Sequence, residues 1–71
     1  MNITLENRRA ASSILLKAGA YHEAKRREIA HQIGMDETLV WYALKMTKWG
    51  GTSQFMAKDW VIEKILEWGK E

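Results

Sequence analysis

Lys25, Arg26 and Arg27 form an unbroken run of three cations. Read as helix, the run falls in the first turn or so of a segment spanning residues 23–33. The positive end of the helix dipole disfavours exposed cations there by about 0.3–1 kcal/mol each. A local preference broken three times in succession points to an anion, and phosphate at a helix N-terminus is the natural one. Glu23 and Glu28 stand at helical spacing from the same cations and offer a plainer account, ion pairs on a solvated face. Arg8 and Arg9 make a second basic cluster, and Lys45 and Lys48 a third.

A second group of side chains recurs at helical spacing just downstream: Glu37, Thr38, Trp41, Tyr42 and Lys45. Their chemistry suits the edges of base pairs. A carboxylate accepts from cytosine N4, a threonine packs on a thymine methyl or bonds an edge, and a lysine takes guanine or phosphate. The strongest common contact, an arginine forked onto guanine, is missing. Affinity for duplex DNA would then rest on phosphate contacts from Lys25, Arg26, Arg27, Lys48, Arg8 and Arg9. Adjacent Trp41 and Tyr42 on an open face would also form an apolar patch of the kind that marks protein contacts. That is the rival reading: a protein-interaction module whose partner binds the Trp41/Tyr42 face.

Other chemistry finds no support. His22 and His31 have no ligand set around them, and there is no cysteine to form a disulfide or a thiolate metal site. Ser12, Ser13 and Ser53 lack spaced His and Asp partners. No glycine-rich phosphate loop is present. Neither an enzyme nor a metal, cofactor or small-molecule site is expected.

The elements that must position these groups follow from apolar spacing and glycine punctuation. Ala11, Ile14, Leu15 and Ala18 share one face of a helix over 5–18, with Thr4 as a fair cap and Gly19 as the stop. Ile29, Ala30 and Ile33 share a face over 23–33, and Gly34 ends that helix. Asp36 caps a helix over 37–48 that gathers Val40, Ala43, Leu44 and Thr47, and Gly50-Gly51 breaks it. Thr52 or Ser53 caps a last helix over about 54–68. Gly50-Gly51 would also admit a short β-wing with strands near 46–49 and 53–56, although MTKW and SQFM alternate poorly.

Residues 28–45 (EIAHQIGMDETLVWYALK) carry the packing pattern of a helix-turn-helix. Ala30 is small enough to let the second helix cross closely. Gly34 supplies a left-handed turn without steric cost. Ile29, Ile33, Met35, Val40, Ala43 and Leu44 weld the pair. In such a motif the N-terminal part of the second helix meets base edges.

The order of features resembles the lysogeny-establishment activators of lambda-type temperate phages over roughly residues 6–69. The likeness rests on Leu15-Leu16-Lys17, the Gly34-Met35-Asp36 turn, a Trp-bearing segment with a Phe, and the ending Leu66-Glu67-Trp68-Gly69. The second motif helix departs from the family, lacking its basic residues, and the interval from Gly34 to Trp68 is several residues longer. The resemblance implies a phage or prophage transcription regulator, an activator, that binds double-stranded DNA as an oligomer on repeated half-sites, with host RNA polymerase as a further partner.

Length and composition bound the rest. A chain of 71 residues supports one domain with a modest core, for which self-association is the usual reinforcement. Hydrophobic residues make up 46%, too many for disorder, and the net charge is +2. No apolar run nears the roughly 20 residues needed to cross a bilayer, and residues 1–11 lack a signal-like apolar block, so a bacterial cytoplasm is the expected location. Phe55, Trp60, Val61, Ile65 and Trp68 spread apolar character too widely around the last helix for a small monomer, which predicts a homodimer seam there. The expectation is therefore an all-α, four-helix helix-turn-helix domain, lambda-repressor-like or related, over residues 1–71, with the last helix serving assembly.

Overall fold

A computed structural model of the chain describes residues 2–45 and 57–71. The expected wing, Lys48, Phe55 and the caps proposed at Thr52 and Ser53 lie outside the described residues. Within them the fold is all-α, with helices α1 (Leu5–Lys17), α2 (Glu23–Ile33), α3 (Glu37–Lys45) and α4 (Asp59–Gly69).

α1 starts with a complete capping box. Asn7 N–H donates to Thr4 Oγ1 at 3.0 Å, and Thr4 N–H donates to Asn7 Oδ1 at 3.1 Å. Asn7 thus does the work usually given to glutamate at that position. At the other end Gly19 turns left-handed at φ +90°. Gly19 N–H then reaches the Leu16 carbonyl and Ala20 N–H the Leu15 carbonyl, the paired bonds of a Schellman ending. Sequence spacing located both ends to within a residue.

The core gathers where the apolar faces converge. Ala11 and Leu15 from α1, Ile29 and Ala30 from α2, and Val40, Ala43 and Leu44 from α3 are all buried. Val61, Ile62 and Ile65 from α4 complete it, each fully buried. Ile14, Ala18 and Ile33, expected on the same faces, are half-buried at its edge. A polar group also lies inside: Ser12 Oγ donates to the Leu44 carbonyl at 2.9 Å, joining α1 to the last turn of α3.

α4 begins at Asp59, later than the expected start near 54. Lys58 is extended, at φ −67° and ψ 157°, and forms no side-chain cap. Arg8 holds this corner from α1. Its Nη1 donates to the Ala57 carbonyl, and its Nη2 to Asp59 Oδ1 at 2.7 Å. The far end of α4 lies tight on α1: a Cβ added at Gly69 would stand 2.7 Å from Ile14 Cδ1.

This packing corrects the expected assembly face. Val61 and Ile65 have no exposed surface, so they stabilise the single chain and offer nothing to a second copy. Trp68 is half-buried against the core. The wide apolar arc of α4 is accounted for because the helix is covered by both α1 and α3. Of the expected seam, Trp60 is the described residue that stays open, at 46% exposure.

Candidate nucleic-acid interface

α2 and α3 are joined by the short turn at Gly34-Met35-Asp36. Gly34 sits at φ +86°. Its N–H and that of Met35 both donate to the Ala30 carbonyl, at 2.8 and 3.0 Å. The Asp36 carbonyl accepts from Leu39 N–H and Val40 N–H, so α3 starts immediately beyond it. The small residue and the left-handed glycine therefore meet at one carbonyl, and the chain leaves that point in a new direction.

α3 buries Val40, Ala43 and Leu44 and turns its other side outward. Thr38 is exposed, while Glu37, Trp41, Tyr42 and Lys45 are half-buried. All five expected base-contact residues therefore lie on one short helix, and none of the five is fully buried. They are not equally available, because the cations of α2 engage two of them.

Arg26 is the principal correction to the sequence reading. Expected on the surface as a phosphate contact, it is buried. Its Nη1 donates to the carbonyls of Ala20 at 3.0 Å and Tyr21 at 3.2 Å. Its Nη2 lies 3.5 Å from Glu37 Oε1. The guanidinium stands 4.3 Å from the centroid of the Trp41 ring, a cation–π contact in a largely desolvated place. Arg26 Nε is buried without a hydrogen-bond partner. A cation near a helix N-terminus is tolerated here because two carbonyls, a carboxylate and an aromatic face surround it. The chain's first interhelical lock is thus made from residues read as DNA contacts.

Trp41 accordingly faces inward and sideways. Lys45 Nζ lies 5.1 Å from its ring centroid, so the indole has two cations near it. Of the five, Thr38 is the exposed one, while Glu37, Tyr42 and Lys45 keep part of their surface open.

Arg8, the second correction, is tied to Ala57 and Asp59 and its side chain is only 11% exposed. It braces α1 against α4 and does not face solvent as a phosphate contact must. Lys25, Arg27 and Arg9 remain on the surface. Lys25 lies 3.6 Å from Glu28, and Arg27 lies 3.0 Å from Glu23. The ion pairs weighed against the phosphate account are present, although exposed pairs of this kind are weak and exchange readily.

Two structural residues escaped the sequence reading. Ser12 looked like any helical serine, yet its hydroxyl ties α1 to α3. Asp59 had no visible partner, because Arg8 lies far away in sequence. Beside α3, a shallow depression is lined by Ala30, His31, Met35, Asp36, Leu39 and Trp60. No helix among the described residues is long and apolar enough to cross a membrane. No cluster of metal-ligating side chains gathers among them.

Comparison with known protein families, curated proteins and solved structures returned no match.

Proposed function

We propose that this chain is a DNA-binding transcription regulator that sets α3 into the major groove. The observation that carries the reading is the α2–turn–α3 arrangement. A glycine at φ +86° redirects the chain, and the following helix buries Val40, Ala43 and Leu44 while leaving Thr38 exposed and Tyr42 and Lys45 partly so. Thr38 stands in the first turn, where a docked reading helix meets base edges. Lys25, Arg27 and Arg9 are the cations available for the backbone, and Lys45 reaches either a base or a phosphate. Phage origin, activation and contact with RNA polymerase rest on the resemblance noted above. Binding as two copies on spaced half-sites would recover affinity that so few cations cannot supply alone. Trp60 is the residue of α4 that a second copy could cover.

One observation favours a second reading, a module that binds a protein partner. Of the six expected phosphate contacts Arg26 is buried, Arg8 is tied to Asp59, and Lys25 and Arg27 each lie beside a carboxylate. Binding to mixed-sequence duplex DNA as salt is raised separates the two. A phosphate-dependent interface loses affinity linearly on logarithmic axes, with a slope of about −0.9 per phosphate neutralised. A protein-binding module gives weak association with no such slope.

A further inference from the structure

Arg27 is held between two carboxylates. Its Nη2 lies 3.0 Å from Glu23 Oε1 and its Nε lies 3.6 Å from Glu37 Oε1. The side chain is nevertheless 69% exposed. The same Glu37 oxygen lies 3.5 Å from Arg26 Nη2. Arg26 has other anchors, the carbonyls of Ala20 and Tyr21 and the Trp41 ring, so it stays in place whatever Glu37 does. Arg27 has no such anchor in the fold's interior. Glu37 is also the first residue of α3, at the end that meets base edges when a reading helix docks.

Resting on the DNA-binding reading, we propose that Glu37 is a specificity-determining residue that acts by restraining Arg27. An ionised carboxylate only accepts hydrogen bonds. In the major groove it is satisfied by the amino group of cytosine N4 and faces repulsion from guanine O6 and N7 and from thymine O4. On generic DNA Glu37 therefore keeps Arg27, and one phosphate contact is withheld. On a site that presents a cytosine amino group, Glu37 exchanges the guanidinium for that donor and Arg27 turns to the backbone. Base identity is thereby coupled to a phosphate contact, and the acidic start of α3 becomes a filter against wrong sequences.

The test compares salt titrations of binding to mixed duplex DNA and to the duplex best enriched from a random pool. Glu37→Gln is expected to tighten mixed-DNA binding at low salt by roughly two- to fivefold, the order of effect of one exposed charge. The slope against salt should steepen by about 0.9, the signature of one added phosphate contact. The preference for the enriched duplex should fall by roughly fivefold or more, the discrimination of one base contact. Adding Arg27→Ala to Glu37→Gln should abolish the gain in slope. Glu23→Gln leaves Glu37 beside Arg27 and should change neither the slope nor the preference. If Glu37→Gln melts below the assay temperature, Arg27→Ala alone decides: it should flatten the slope on the enriched duplex by about 0.9 and leave the mixed-DNA slope unchanged, and an equal effect on both duplexes overturns the restraint. A wild-type protein that binds DNA while Glu37→Gln keeps both slope and preference overturns this inference and leaves the DNA-binding reading intact. Absence of binding by wild type and variants alike removes both.

Discussion

The Arg26 guanidinium stands 4.3 Å from the centre of the Trp41 ring, so the first helix of the motif grips the second through a cation and an indole. Apolar packing at Ala30, Val40 and Ala43 sets how closely α2 and α3 approach. The Arg26 contacts set how α3 is rolled, because they engage Glu37 and Trp41, one turn apart on the same helix. The roll decides which side chains face outward, and that is where packing meets function.

Arg26→Ala should therefore be a folding variant rather than a binding variant. It removes two hydrogen bonds to carbonyls, the contact with the Glu37 carboxylate and the ring contact, a loss of about 2–4 kcal/mol. Arg26→Lys should recover little of this, since an ammonium cannot reproduce the planar fork that reaches two carbonyls and a carboxylate. Urea denaturation followed by Trp fluorescence reads both. A midpoint unchanged in Arg26→Ala would show that the buried contact contributes nothing.

Gly34→Ala should lower stability by about 1–2 kcal/mol, the cost of holding an L-residue in the left-handed region. Nothing lies within 4 Å of the added methyl, so backbone conformation alone is tested. For a domain of this size the melting temperature should fall by roughly 4–16 °C, at about 4–8 °C per kcal/mol. Thermal melts by circular dichroism measure it, and no shift would mean that the turn relaxes without cost.

Ile65→Ala and Trp60→Ala should part company. Ile65 is fully buried, and its truncation leaves a cavity costing about 2–5 kcal/mol. Trp60 is 46% exposed, so its loss should affect stability little while weakening any self-association that uses this face. Denaturation midpoints and sedimentation at several concentrations separate the two effects. A strongly destabilised Trp60→Ala would place that indole in the core after all.

Much of the fold was legible because its signals are local. Thr4, Gly19 and Gly34 mark helix ends through backbone geometry, and the α2 and α3 faces repeat at helical spacing. The start of α4 was not legible, because it is fixed by Arg8 reaching from α1 to the Ala57 carbonyl and Asp59, a partnership with no sequence pattern. The same blindness misplaced Arg26. As one of three adjacent cations it looked like its neighbours, but a helix turns about 100° per residue, so only one of the three can point inward. The apolar arc on α4 is as wide as its spacing implies, but spacing does not tell which part of it the chain's own helices cover: Val61 and Ile65 are buried and Trp60 is left open.

The most direct test of the central claim, that α3 reads duplex DNA, is selection of bound duplexes from a random-sequence pool, repeated with Thr38→Ala and Lys45→Ala. The account predicts an enriched motif, in repeated half-sites about 10–10.5 base pairs or a multiple apart if two copies bind, with preference at individual positions relaxed by each substitution. A pool that stays random through successive rounds with the folded wild-type protein, or a motif unchanged by both substitutions, would contradict it.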